Sequence, residues 1–502
     1  MRERSSRRIA ITIALFCFAA VVASPAQTFN TIFTFNGFNG DGPLAPLTQG
    51  TNGKFYGTSQ GGSPNRGGTV FELTPSGEMP MRYGFCALTN CDDGRQPVAS
   101  VIQAANGSFV GVTTEGGNGS FCFSSNTCGT FFEITAAGQL NTLYNFCSQV
   151  NCGDGYSPAS TPVEANGNFY GADAFGGADS AGLIYEIAAD GTFSIRYTFC
   201  SQTNCADGSG PSGLVRGANG NFFGSTNFFG KNGSGTIFEI TSSGQLTTLY
   251  NFTGFSGDVG GANLIQASNG NLYGTTLNFA NFVGEIFELT KTGKFVILYT
   301  FCCQAQLSDP VGLIQASDEN FYGIANQGGA NFNGGIFKMT PSGKVSTYIN
   351  FPSCQFTCAD GFNPTGLMQA TDGNFYGVMD AGGLGNCFGR AGCGTVYKVT
   401  TGLPPFVALQ PNYGKVGSNV KILGNNLTGT AGVTFNGTPA AFTVVSDTYI
   451  KATVPPAATT GTLEVVTSSG TLQQGAFPGY TVVQKRIWTK PLRGRGRCIV
   501  IR

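Results

Sequence analysis

The chain contains no histidine among its 502 residues. That absence excludes imidazole acid–base catalysis, Ser-His-Asp triads and imidazole metal sites. Any chemistry has to rest on carboxylates, lysine, tyrosine or cysteine. Charge is also scarce, at 11% Asp, Glu, Lys and Arg against roughly 25% in an average protein. Beyond the first 26 residues no apolar run approaches the about 20 residues of a bilayer span. No long helical pattern is present. Glycine supplies 76 residues, about twice its usual share of roughly 7%. Aromatic and β-branched residues are plentiful. The balance predicts an all-β, turn-rich chain.

The two ends differ from the body. Residues 1–26 read as a secretory signal, with a basic start (Arg2, Arg4, Arg7, Arg8), a short apolar run and a small-residue site ending at Ala26. A membrane anchor is the alternative, but the apolar run is short for one. The tail 484–502 carries 7 basic residues and no acidic one, and is expected to be disordered. The formal net charge is zero, yet the body 27–483 holds 16 basic and 26 acidic residues, a net of −10. An acidic body argues against nucleic-acid binding, which needs a basic surface. The mature chain is expected outside the cytoplasm, with no transmembrane span.

The body repeats. The phrase "NGNFYG" and its variants are centred on Phe55, Phe109, Phe169, Phe222, Leu272, Phe321 and Phe375. A second phrase of the type "GTVFELT" follows each copy, and a third of the type "TLYNF" ends at Phe35, Phe85, Phe146, Phe199, Phe252, Phe301 and Phe351. A period of about 50 residues marks a repeat architecture. Each unit offers four strand-sized runs. Asn-Gly, the strongest two-residue hairpin signal, joins the first two, and a tight turn joins the last two. Four antiparallel strands per unit describe a propeller blade. In that phase a blade runs GLIQA, NFYGTT, GTVFELT, LYNF. The last blade then lacks its fourth strand, which "FNTIFTF" (29–35) can supply. In "NGNFYG", Phe and Tyr point to opposite strand faces and are expected to fill the gaps between blades. The closing Gly is expected to permit close backbone approach near the axis.

Cysteine follows the repeat. Cys17 belongs to the signal segment. Six close pairs lie in the body: Cys86/Cys91, Cys122/Cys128, Cys147/Cys152, Cys200/Cys205, Cys354/Cys358 and Cys387/Cys393. Close pairs in a secreted chain read as local disulfides. Each closes a short loop, worth about 2 kcal/mol by chain entropy. Zinc is the rival, but it needs four ligands and these pairs sit in different repeats. Cys302 and Cys303 are adjacent and Cys498 is alone; their state is left open.

The phrases over residues 29–400 resemble the Gloeo/Verruco (GloVer) tandem repeat of exported bacterial proteins. The resemblance implies export and surface association, and no established activity. After 400 the pattern changes. The opening at Pro411–Leu427, "VTFNG" at Val433–Gly437 and "VPP" at Val454–Pro456 are similar to an IPT/TIG immunoglobulin-like domain. Some 80 residues suit a small β-sandwich. The expected organisation is a signal (1–26), a seven-bladed β-propeller (27–400), an IPT/TIG-like sandwich (404–483) and a basic tail (484–502).

Antiparallel strands put all tight turns on one face of the disc and all long loops on the other. The cysteine pairs fall in the long loops, so that face is the expected functional one. An Asp recurs between blades, at Asp41, Asp93, Asp154, Asp207, Asp258, Asp309 and Asp360. A carboxylate ring can take Ca²⁺; the alternative is an Asx-type turn before Gly. No other cofactor is implied. Glu72, Glu133, Glu186, Glu239 and Glu288, matched by Lys338 and Lys398, are expected on an outward strand face. Loops that differ between blades carry Phe121, Phe123, Phe175, Phe228, Phe229, Phe279, Phe282, Phe332 and Phe388, with Arg66, Lys231 and Arg390. Exposed aromatics beside amides suit sugar stacking or protein contact; the alternative is that the rings fold back as loop cores. The ligand-binding candidates are therefore Phe228, Phe229, Lys231, Phe121, Phe123, Phe388, Arg390 and Arg66. The expected function is non-enzymatic binding of an extracellular glycan or surface protein. A carbohydrate-active enzyme using paired carboxylates and a purely structural surface module are the alternatives.

Overall fold

The computed structural model describes residues 27–121, 128–254, 263–278, 283–301, 306–354, 358–383, 387, 392–410, 413–475 and 481–482. Among them the chain is all-β, with helix confined to three short 3-10 turns. Seven successive four-stranded antiparallel sheets occupy the repeats. The first runs Thr48–Gln49, Phe55–Ser59, Thr69–Leu73 and Met81–Gly84. The seventh is made from both ends of the repeat region. Its strands Phe362–Gln369, Phe375–Ala381 and Thr395–Thr400 are completed by Thr28–Thr34. That strand lies antiparallel to Thr395–Thr400, with Phe29 opposite Val399 and Thr34 opposite Thr395. The pairing expected from the missing fourth strand is thus observed.

Neighbouring sheets share apolar cores. Tyr56, Val70 and Phe85 of the first sheet pack with Phe109 and Phe132 of the second, and Leu47, Phe55 and Phe71 pack with Tyr376 and Val378 of the seventh. Two aromatic contacts recur. Phe and Tyr of "NFYG" do point to opposite faces: Tyr56 stacks on Phe109 at 3.7 Å, Tyr170 meets Phe222 at 4.5 Å and Tyr322 meets Phe375 at 4.6 Å. The Phe that ends each "TLYNF" is fully or almost fully buried. It meets the strand-three aromatic of the next sheet, with centroids between 5.0 and 6.1 Å apart at all seven junctions. The closing Gly has a different reason from the one expected. A Cβ at Gly57, Gly111, Gly171, Gly224, Gly274, Gly323 or Gly377 would collide with that sheet's own strand-three ring, for example Phe71 beside Gly57. The glycine makes room for a side chain of its own sheet.

Segments 44–46, 98–100, 159–161, 212–215, 263–265, 311–314 and 365–367 surround a cavity of about 470 Å³, to which all seven sheets contribute. After Thr400 two further four-stranded sheets enclose their own core, which includes Val407, Ile422, Phe435, Ile450, Leu463 and Val465. This C-terminal unit docks on the Asn-Gly turns. Thr448 donates to the Thr51 carbonyl (2.8 Å), Lys421 to that of Ala104 (2.6 Å) and Tyr413 to that of Glu164 (2.9 Å). A cavity of about 310 Å³ lies between the unit's Phe406, Ala408 and Leu423 and the inner strands of the ring. The C-terminal unit therefore lies over the turn side of the ring.

Candidate functional site: the loop face and the junction cleft

The loop face is built on short disulfide loops. Cys86–Cys91, Cys147–Cys152, Cys200–Cys205, Cys354–Cys358 and Cys387–Cys393 are bonded as expected. Cys128 is also in a disulfide; its expected partner Cys122 lies outside the described residues, as do Cys302, Cys303 and Cys498. Three of these loops carry a second clamp. The Asp154 carboxylate is fully buried. It accepts from the Tyr144 hydroxyl (2.6 Å) and from the amides of Ser148 (2.9 Å) and Gln149 (3.1 Å). Asp93 and Asp207 do the same with Tyr83 and Tyr197. These carboxylates reach back across the disulfide loop, which neither a Ca²⁺ ring nor an Asx-type turn requires. Burial, then the Asp154 hydrogen bond, pushes the Tyr144 hydroxyl far above its usual range. Asp41 lies against Cys387 and Cys393, whose sulfurs are spent on each other and offer no thiolate. Asp360 accepts from Thr31 (2.9 Å), and Asp258 lies outside the described residues.

On this scaffold Phe228 is 62% exposed, Phe229 51% and Phe332 72%. Phe229 and Phe332 also hold positive φ, 59° and 55°, a strained region for a bulky residue. Phe229 is fixed there by the Gly235 amide on its carbonyl (2.8 Å). The Lys231 amide donates to Asn251 (2.7 Å), leaving its side chain exposed. Phe121 is 41% exposed and Arg66 is exposed. Phe175 is 47% exposed, with its ring stacked on Tyr156 at 5.2 Å. Phe123, Phe388, Arg390, Phe279 and Phe282 lie outside the described residues. Each described candidate occupies its own loop, and only Phe228, Phe229 and Lys231 share one.

The strand-three carboxylates are not on an outward face as expected. Glu72 and Glu186 are buried, and the others are half-buried. The Tyr56 hydroxyl donates to Glu72 (3.0 Å), beside Lys54, and burial pushes that hydroxyl up to about 12. Burial alone would raise Glu72, but hydrogen bonds from Lys54 and Tyr56 outweigh it and hold the carboxyl below its usual range.

The opposite, turn-side face carries a girdle that staples sheet to sheet. Gln103 accepts the Thr51 amide of the preceding sheet (2.9 Å), Gln266 that of Ala218 (2.7 Å) and Gln315 that of Ser268 (2.8 Å). Gln369 accepts that of Ser317 (2.7 Å), and Gln49 closes the circle on Thr371 (3.0 Å). The third and fourth sheets break the girdle. Glu164 and Arg216 stand where the other sheets have Gln. Here the C-terminal unit takes over. The Tyr413 ring covers the Arg216 guanidinium, with its carbon 3.1 Å from the ring centroid, and the Tyr413 hydroxyl donates to the Glu164 carbonyl. These residues, with Lys421, Lys451, Gln410 and Gln474, line a cleft of about 670 Å³. Burial raises the Glu164 carboxyl, against the pull of Lys421 and Arg216. Burial likewise lowers Arg216 and Lys421.

The sequence model of the Gloeobacter/Verrucomicrobia repeat matches residues 20–173, 123–307 and 280–485. The chain belongs to the Gloeobacter/Verrucomicrobia repeat family. No curated protein matches it. Among solved structures it is similar to the extracellular domain of BT4673 from B. thetaiotaomicron (10% identity, TM-score 0.47, 90% of this chain and 59% of that one). It is similar also to the extracellular domain of BT3049 from the same organism (11%, TM-score 0.48, 89% and 57%). A gluconolactonase, XC5397 from Xanthomonas campestris, matches at 10% with a TM-score of 0.36, over 76% of this chain and 91% of that one. The chain spans under two thirds of the two extracellular domains, at 59% and 57%. Likeness at these identities and TM-scores carries nothing about activity. Among the described residues no helix is long and apolar enough to cross a membrane.

Within this Gloeobacter/Verrucomicrobia repeat chain, the residues that sequence reasoning missed are Glu164 and Arg216. Their signal was present. Where the other repeats carry Gln ("LTQG", "VIQA", "LIQA" twice and "LMQA"), these read "PVEA" and "LVRG". A charge that breaks its own repeat on an inner strand marks a position serving something other than the repeat. Only the docked C-terminal unit shows what faces it.

Proposed function

We propose that this chain is an exported, non-enzymatic binding protein. In this reading the seven sheets are the blades of a seven-bladed propeller, and the C-terminal unit is an immunoglobulin-like module of IPT/TIG type. The loop face is the binding surface, for an extracellular glycan or a surface protein. One observation carries the reading: Phe228 and Phe229 stand more than half exposed, on a backbone held against its steric preference at Phe229, beside the exposed Lys231. Exposed aromatic pairs on a rigid base desolvate apolar sugar faces or partner side chains at low entropic cost. Five disulfides support an oxidising, extracytoplasmic location. A binding role is also favoured because the repeated carboxylates are committed to loop clamps and strand contacts.

The test is a glycan and surface-protein binding screen with turnover assayed in parallel. Replacing Phe228 and Phe229 by Ala should weaken the best ligand by about 1–3 kcal/mol and leave the melting temperature unchanged. A collapse in melting would make the rings packing residues. An unchanged affinity would move the binding surface elsewhere, and turnover of a screened glycan would replace binding by catalysis.

A further inference from the structure

The cleft between the ring and the C-terminal unit holds three cations: Arg216, Lys421 and Lys451. Among the described residues none of them forms an ion pair with a carboxylate. Glu164 is the one acidic residue in the cleft wall, and its backbone carbonyl, not its carboxylate, receives Tyr413 and Arg216. An unpaired, partly buried guanidinium is costly unless something anionic completes it. Restoring the Gln of the other repeats would remove that cost, so the charge has a use beyond the ring. Tyr413, Tyr449 and Val163 add apolar surface.

We propose that this cleft is a second binding site, for an acidic saccharide: a uronic acid unit whose carboxylate meets Arg216, Lys421 and Lys451 and whose apolar ring face lies on Tyr413 and Tyr449. Arg is suited to a carboxylate by its fork of donors. A volume of about 670 Å³ falls in the range of ordinary small-molecule sites. The site joins two units of the chain, so an occupant ties the C-terminal unit to the ring. It is independent of the loop face.

Calorimetric titration of the full chain with D-galacturonate and D-glucuronate tests this, with D-galactose, D-glucose and sodium acetate as comparison probes. The uronates should bind, weaken with added salt, and exceed the neutral sugars and acetate by at least about tenfold. Arg216→Gln, which restores the repeat's own residue, and the exposed Lys451→Met should each weaken uronate binding several-fold without lowering the melting temperature. Phe228→Ala/Phe229→Ala should leave it unchanged, which separates this site from the loop face. Four outcomes overturn the proposal: no uronate binding at millimolar concentration, neutral sugars binding as well, acetate binding as well, or both charge variants binding like the parent. If Arg216→Gln unfolds the chain, Lys451→Met decides alone.

Discussion

Asp318 and Lys338 face each other across the sixth sheet, with Oδ2 and Nζ 3.1 Å apart. Five sheets hold the strand-three carboxylate (Glu72, Glu133, Glu186, Glu239, Glu288) and an Asn in the turn. The sixth and seventh exchange the charges, so that Asp318 and Asp372 lie in the turn and Lys338 and Lys398 on the strand. In both arrangements the NFYG tyrosine keeps a carboxylate: Tyr273 donates to Glu288 (2.7 Å) and Tyr322 to Asp318 (2.9 Å). Lys338→Glu alone should cost about 1 kcal/mol, because two carboxylates then crowd Tyr322 and the pair is only partly shielded from water. Adding Asp318→Asn should recover most of that loss. A double-mutant cycle by urea unfolding measures it; strictly additive losses would show that the two positions are not coupled.

Asp173 is a buried carboxyl in the third sheet, fully inaccessible, with no partner on Oδ2. Burial, and then the nearby Asp154, raises it well above its ordinary value of 3.8. A carboxyl raised in the folded state binds its proton more tightly there than in the unfolded chain. Its favourable share is therefore full below 3.8 and is lost as pH rises through the folded value. Asp173→Asn should stabilise the chain by about 1–3 kcal/mol on the alkaline side of neutral, and the gain should vanish in acid. Melting curves across the pH range check this. Equal melting temperatures at alkaline pH would refute a charged, unpaired Asp173.

Asp154 should matter more than the disulfide it lies under. The Cys147–Cys152 loop is short, with a sequence separation of 5, so its removal should cost about 2 kcal/mol or less. Asp154→Ala leaves the Tyr144 hydroxyl and two amides without their acceptor, at about 2–4 kcal/mol. Chemical denaturation of Asp154→Ala beside Cys147→Ser/Cys152→Ser gives the order. The reverse order would make the disulfide the principal clamp.

Much of the architecture was legible because it is local and repeated. Asn-Gly turns, alternating Phe and Tyr, and the spacing of the three phrases depend on near-neighbour sterics, and seven copies average out noise. The missing fourth strand even specified the pairing of Thr28–Thr34 with Thr395–Thr400, since an unpaired edge demands a partner. Close cysteines declared their own disulfides for the same reason. The tertiary structure decided what depends on distant neighbours. It buried Glu72 and Glu186, which as recurring strand carboxylates were expected on an outward face. It gave the glycine of NFYG its reason, a ring directly opposite on the neighbouring strand of its own sheet. It turned three of the recurrent Asp, at 93, 154 and 207, into clamps reaching back five or six residues. It also set Tyr413 on Arg216, a contact between positions 197 residues apart. A charge that breaks a repeat is visible in one dimension; the surface that faces it exists only once the C-terminal unit has docked on the ring.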